Sequence, residues 1–376
     1  MNKADIAVKK YIDKLILPSQ PLSPLWNTEN VLFKKKPKWN YIDSCMMTAL
    51  LSLYDLTGDE KLAHFVCQFT DAYTSPDGDI PTIDFSDYNL DNLNGGRNLL
   101  RLFRMTGNDR YRLTAENMRR SQIARQPRLN CGNFWHKAIY PFQIWLDGTY
   151  MSMPFMAEYA CRYSERELIA DITSQLKNIR NIMHDKTTGL YFHGYDETKS
   201  MIWADKETGL SPNFWLRSIG WLSAALADIC GIVPAEEELY RLCADMLDEL
   251  LVSLVSYTDE NGLLRQLPAV SGENGNYTES SGNLLFSYAA LKASRLGISG
   301  NIVRKAGEKA FTSVTDLSLR FDNELPVLSN ICLMAGLGGV PPRNGSIQYY
   351  LGEKVVSNDA KGIAPYILAY TELCSS

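Results

Sequence analysis

Two basic side chains and a carboxylate fall close together in Trp135-His136-Lys137 and Trp145-Leu146-Asp147-Gly148. Asp147 stands where a helix is expected to begin. An Asp in that place ordinarily caps the helix. Here two apolar residues precede it and Gly148 follows, which suggests a carboxyl group in a drier pocket. Burial would raise its pKa and keep part of the population protonated near neutrality, the state a general acid needs. Asp91, in Leu90-Asp91-Asn92-Leu93-Asn94-Gly95-Gly96-Arg97, and Asp43, in Trp39-Asn40-Tyr41-Ile42-Asp43, hold the same place in their own segments. Each could be a cap. Three carboxylates at equivalent helix ends would instead converge on one cavity, each raising the pKa of the others. Arg217 lies between two tryptophans in Phe214-Trp215-Leu216-Arg217-Ser218-Ile219-Gly220-Trp221. With His136, Lys137 and His193 it could grip an anionic ligand, the guanidinium in bidentate fashion. The plainer alternatives pair Arg217 with a core acid and leave His193 a loop histidine. The tryptophans are core residues or platforms for sugar rings.

The elements that must position these groups are helices. An amphipathic helix is expected over residues 3–16, ending before Pro18. Five helical hairpins follow, with first helices starting near Trp39, Asn92, Trp145, Trp215 and Ser281. Two of the turns, Thr57-Gly58-Asp59 and Thr106-Gly107-Asn108, lie 49 residues apart and share a Thr-Gly step followed by a capping side chain. A last helix, 361–373, lacks a partner on its C-terminal side, as the first lacks one on its N-terminal side. If those two pair, six helix pairs close into an all-α (α/α)6 barrel forming one domain, residues 1–376. An open helical solenoid is the rival. Long loops at 125–144, 185–214, 255–280 and 321–360 precede the inner helices, are expected to lack structure of their own, and hold most of the Trp, His and Gly. The glycine-rich Ala335-Gly336-Leu337-Gly338-Gly339 lacks the Lys-Ser/Thr of a phosphate loop and reads as flexible loop.

Composition excludes more than it assigns. A net charge of -5 argues against a nucleic-acid binder. No apolar run is long enough for a membrane span, and the N-terminus does not read as a signal peptide. Eight cysteines without CxxC spacing and only four histidines make a zinc site unexpected and point to buried thiols in a reducing compartment, hence the cytoplasm.

Taken together the motifs resemble glycoside hydrolase family 105, the unsaturated rhamnogalacturonyl hydrolases. The likeness rests on Trp135-His136-Lys137, Trp145-Leu146-Asp147-Gly148, Leu90 to Asn94 with Gly96-Arg97, and Trp215 to Trp221. It continues through Gly345-Ser346-Ile347-Gln348-Tyr349-Tyr350-Leu351 and Asn358-Asp359-Ala360-Lys361-Gly362. Ser44 stands where the family pattern has Gly, a departure that bears on Asp43. The resemblance implies an (α/α)6 barrel and a substrate with a 4,5-unsaturated uronic acid at its non-reducing end. It implies hydration of that vinyl ether, with no metal or organic cofactor. Asp147 would protonate carbon 4, and Asp91 would orient or tune it. Tyr41, Asp43, His136, Lys137, Trp145, His193, Trp215, Arg217 and Trp221 would form or border the pocket wall. The alternatives are an unsaturated glucuronyl hydrolase acting on glycosaminoglycan fragments, a sugar epimerase, and a carbohydrate-binding scaffold without catalysis.

Overall fold

A computed structural model of the chain describes residues 2–271 and 275–375. Residues 272–274, inside the expected loop 255–280, and the two terminal residues lie outside the described residues.

Helix α1 (Lys3–Tyr11) continues as one π-helical stretch, Ile12–Ile16, and is followed by the short α2 (Thr28–Phe33). Five hairpins come next. They are α3 (Tyr41–Thr57) with α4 (Glu60–Asp71), α5 (Gly96–Thr106) with α6 (Asp109–Ser121), and α7 (Asp147–Tyr163) with α8 (Arg166–Met183). The last two are α9 (Leu216–Cys230) with α10 (Glu238–Val255), and α11 (Ser280–Arg295) with α12 (Asn301–Leu317). The short α13 (Ile347–Gly352) and the long α14 (Ala360–Cys374) complete the set.

The first helix of each hairpin packs on the next around a ring, and α14 packs on both α11 and α3. That contact closes an (α/α)6 barrel. Every residue of α9 is buried, because an inner helix has neighbours on both flanks and an outer helix behind it. Outer helices bury one stripe. In α8 it runs Leu168, Ile172, Leu176, Ile179 and Met183. Helix α1 supplies the sixth outer position. Tyr11 packs edge-on against Tyr366 of α14, and Tyr370 donates to Asp5 at 3.1 Å.

The repeated turns form as the sequence predicts. Gly58 and Gly107 take left-handed C-cap conformations, φ +66° and +69°, which side chains disfavour. Asp59 and Asn108 then cap α4 and α6 by accepting from the backbone of Lys61 and Arg110. Short inner-to-outer turns at one end leave all the long loops at the other, where the inner helices begin.

Those loops carry more structure than expected. Gln143–Trp145 pairs antiparallel with Gly194–Asp196, and His184–Asp185 with Leu190–Tyr191. Leu319–Asp322 pairs with Leu325–Leu328, and Ile331–Cys332 with Val355–Val356. Two to four residues per strand are too few for a hydrophobic period to show in the sequence. Among the described residues no helix is long and apolar enough to cross a membrane.

Candidate active site

A cavity of about 270 Å³ opens at the loop end of the barrel. Asp147 and Asp91 both line it, with Tyr41, His136, Lys137 and Trp145.

Asp147 is the first residue of α7 and makes no cap, since Leu146 occupies the capping place. Its Oδ2 lies 3.2 Å from His193 Nε2. The strand pair puts His193 there: Trp145 faces Gly194, and Leu146 N–H donates to the His193 carbonyl at 3.1 Å. Burial pushes the Asp147 pKa up. His193, followed by His136 and Arg217, outweighs burial and brings it below the ordinary Asp value. The expectation of a raised pKa is therefore corrected. The imidazole that reverses it comes from a loop 46 residues away in sequence.

Asp91 also is not a cap. It sits in a 3-10 turn, Leu90–Gly95, capped by Asn89, which accepts from Asp91 N–H at 3.1 Å. Lys137 donates to Asp91 Oδ2 at 2.6 Å, and His136 Nε2 stands 3.8 Å from Oδ1. The His136 ring stacks on Trp145 with centroids 4.7 Å apart. Burial, then the neighbouring Lys137, pulls His136 down to about 4, so near neutrality it is an uncharged imidazole. Gly148 makes this packing possible. A Cβ there would stand 3.0 Å from Leu90 and 3.2 Å from His136 Nδ1.

Five of the expected site residues do not line the cavity directly. Asp43 is buried beside it and accepts from Trp26 Nε1 at 2.9 Å, Asn27 at 3.1 Å and Asn40 at 2.6 Å. Burial lifts it to about 6 against those three donors. The three carboxylates thus do not all converge. Asp43 instead holds Asn27 and Asn40, both of which do line the cavity. Arg217 is buried, bonded to the carbonyl of Cys332 and 3.8 Å from Glu279. Its core-acid alternative is realised, and it braces the loop that brings Met334 and Arg343 over the cavity. Trp215 packs on the Arg217 guanidinium at 4.7 Å and on His193 at 4.8 Å. Trp221 stacks on Tyr150 inside the barrel. His193 is itself fully buried and stands behind two lining residues, Asp147 and Trp145.

Several lining residues escaped the sequence reading. Asn27, Asn30, Lys35 and Lys38 come from α2 and the segments beside it, and Tyr140 and Arg343 from two loops. Arg343 donates to Tyr140 Oη at 2.7 Å, and Tyr140 stacks on Trp145 at 4.5 Å. The basic run Lys34-Lys35-Lys36-Pro37-Lys38 was the available signal. The lining carries four cations, Lys35, Lys38, Lys137 and Arg343, against the carboxylates Glu29, Asp91 and Asp147. A concave site with paired carboxylates, aromatic surface and a cationic surplus suits an acidic sugar.

Comparison with known proteins agrees. The sequence profile of Glycosyl Hydrolase Family 88 matches residues 23–376. A solved structure from C. acetobutylicum ATCC 824, a glycoside hydrolase from family 105, is 33% identical with a TM-score of 0.91, covering 99% of each chain. Protein Atu3128 of Agrobacterium fabrum is 36% identical over 229 residues, 59% of this chain and 97% of its own. The unsaturated rhamnogalacturonyl hydrolase YesR of Bacillus subtilis is 23% identical over 283 residues, 74% of this chain and 76% of its own. Fold and matches together define a glycoside hydrolase built on a barrel of six helix pairs. The chain belongs to glycoside hydrolase family 105, within the span of the family 88 profile.

Proposed function

We propose that the enzyme removes a 4,5-unsaturated galacturonyl residue from the non-reducing end of rhamnogalacturonan-derived oligosaccharides. The observation that carries this reading is Asp147, set beside His193 and sharing with Asp91 a cavity that carries a cationic surplus. The name of the relative YesR supports the choice of substrate.

In this reading Asp147 donates its proton to carbon 4 of the double bond. Positive charge develops at carbon 5 and the ring oxygen. A water then adds at carbon 5 and returns a proton to the Asp147 carboxylate. The hemiketal so formed opens to a ketone at carbon 5, leaving a hemiacetal at carbon 1 that expels the next sugar as an alcohol. The spacing rule that separates retaining from inverting glycosidases does not govern this chemistry, because the double bond reacts first. Lys137 holds Asp91 toward the cavity, and Tyr140 and Trp145 offer aromatic surface to the sugar. Arg217, one shell behind Asp147, contributes positive potential to an incoming uronate. The volume is near the ~300 Å³ lower end of small-molecule sites, so one ring is enclosed and the next sits at the mouth.

We place the enzyme in the cytoplasm as a single-domain protein. The eight free cysteines support that compartment.

The test is the ultraviolet absorbance of the conjugated unsaturated acid, followed on lyase-generated disaccharides with galacturonyl and glucuronyl ends. Unsaturated galacturonyl-rhamnose should lose its absorbance fastest. Asp147→Asn should lower kcat by about 10²–10⁴-fold. Faster turnover of a glucuronyl disaccharide would move the enzyme to glycosaminoglycan fragments. A wild-type protein that bleaches none of the panel would end the proposal.

A further inference from the structure

The neighbour that sets the charge state of Asp147 is itself held from a third loop. His193 Nδ1 lies 2.6 Å from the hydroxyl of Tyr350, and both residues are fully buried. We propose that Tyr350 is a positioning residue for the acid: its hydroxyl donates to His193 Nδ1 and so selects the imidazole tautomer that turns an Nε2–H toward Asp147. This inference rests on the reading of Asp147 as the proton donor.

A neutral imidazole has one N–H, and the hydrogen bond at one nitrogen decides which end carries it. Two arrangements fit the 2.6 Å contact. In the first, Tyr350 donates to Nδ1 and the proton of His193 is on Nε2. In the second, Nδ1–H donates to Tyr350. The Tyr350 proton then needs a different acceptor, and none is recorded for it among the described residues. The second arrangement also sets the Nε2 lone pair against Asp147 Oδ2 at 3.2 Å. Both of those atoms are buried, and neither has an aligned hydrogen bond to any group, each other included. A proton between them is the arrangement that serves both.

The setting is rigid. Tyr350 lies on α13, which Ser346 caps by accepting from Tyr349 N–H at 3.1 Å. The Trp215 ring packs near both partners, 4.8 Å from His193 and 6.1 Å from Tyr350. Gln266 donates to the Tyr350 carbonyl at 3.4 Å. Three loops from three hairpin junctions therefore meet behind one carboxylate. The other ionisable groups facing Asp147 are His136 and Arg217, with Asp91 and Lys137 beyond His136. Those facing Tyr350 are Tyr349, Cys332 and Glu353. A Tyr350→Phe substitution leaves all of them in place and removes one hydroxyl.

Two measurements decide the matter. With only four histidines in the chain, two-bond ¹H–¹⁵N spectra resolve each ring, and His193→Gln assigns the signal. The wild-type protein should show His193 as the Nε2–H tautomer. An Nδ1–H tautomer or an imidazolium near neutral pH overturns the proposal, and no substrate is involved. In Tyr350→Phe, His193 should become a mixture of tautomers. Asp147 then loses its fixed N–H donor and holds its proton more tightly. The alkaline limb of kcat/KM should move up by roughly one pH unit, while kcat falls about tenfold because the ring is less fixed. An unmoved alkaline limb with the wild-type tautomer retained would show that Tyr350 only fills space. If Tyr350→Phe does not fold, the wild-type spectrum still decides between the two tautomers. Absence of turnover on every unsaturated disaccharide would sink the proposed function and leave the tautomer result standing.

Discussion

Asp147 rests as a carboxylate, so an enzyme that uses it as an acid must load it with a proton as substrate arrives. An incoming uronate brings a second negative charge and displaces water, and both favour the protonated form. Binding should therefore take up protons. Titration calorimetry with a saturated galacturonide, which cannot be hydrated, should give a binding enthalpy that depends on the ionisation enthalpy of the buffer. The sign should correspond to uptake of part of a proton near neutral pH. Asp147→Asn should remove that dependence. Equal enthalpies in all buffers for the wild type would mean that the acid is loaded before binding. His136 does not supply this proton, because burial and Lys137 already keep it neutral at that pH.

At the scale of elements, the cavity wall made by α2 depends on the last helix. Lys361, on the first turn of α14, is buried and donates to Glu29 of α2 at 2.9 Å, with Asp359 3.0 Å away. Burial pushes Glu29 up, but Lys361 and then Lys35 outweigh it and bring its pKa down to about 2. Lys361→Met leaves two carboxylates without their buried cation, and should cost about 3–5 kcal/mol in denaturant unfolding. The pH dependence has a definite sign. A depressed carboxylate pKa adds stability that is present above the unfolded value of about 4.3 and is lost as pH falls toward 2. The variant should lose that part of the acid slope. An unchanged slope, or a cost under ~1 kcal/mol, would show that α2 is held by other contacts. Activity should fall with stability, since Asn27, Asn30 and Lys35 travel with α2.

At the scale of the molecule, closure of the ring is the main structural event. Helix α14 buries 12 of its 15 residues between α3, α11 and the outer layer. A chain ending at residue 358 would leave the apolar flanks of α3 and α11 facing water. Such a truncation should show helical circular dichroism without a cooperative thermal transition, and rapid proteolysis. A sharp melting transition in the truncated chain would mean that five hairpins suffice.

The twelve long helices of the barrel and the two repeated turns were legible in the sequence, while the short α2 and α13 were not. The long helices and those turns follow from local rules: a 3.6-residue period, a glycine C-cap at residues 58 and 107, and Asp or Asn at the next N-cap. The site was legible where a motif runs along one segment, as with Asp91, His136, Lys137, Trp145 and Asp147. It was not legible where a side chain's role depends on what another loop sets beside it. Asp43 and Arg217 have the same residue types as a ligand-binding pair, yet Trp26, Asn27 and Asn40 claim the first, and the Cys332 carbonyl claims the second. The sequence by itself determined the barrel, the family and the segment that sets Asp147 at the cavity, because these depend on pattern within a few turns of chain. Only the tertiary structure decided the charge of Asp147. A pKa answers to groups within a few ångströms, and His193, with Tyr350 behind it, reaches that range only after separate loops have folded over the end of the barrel.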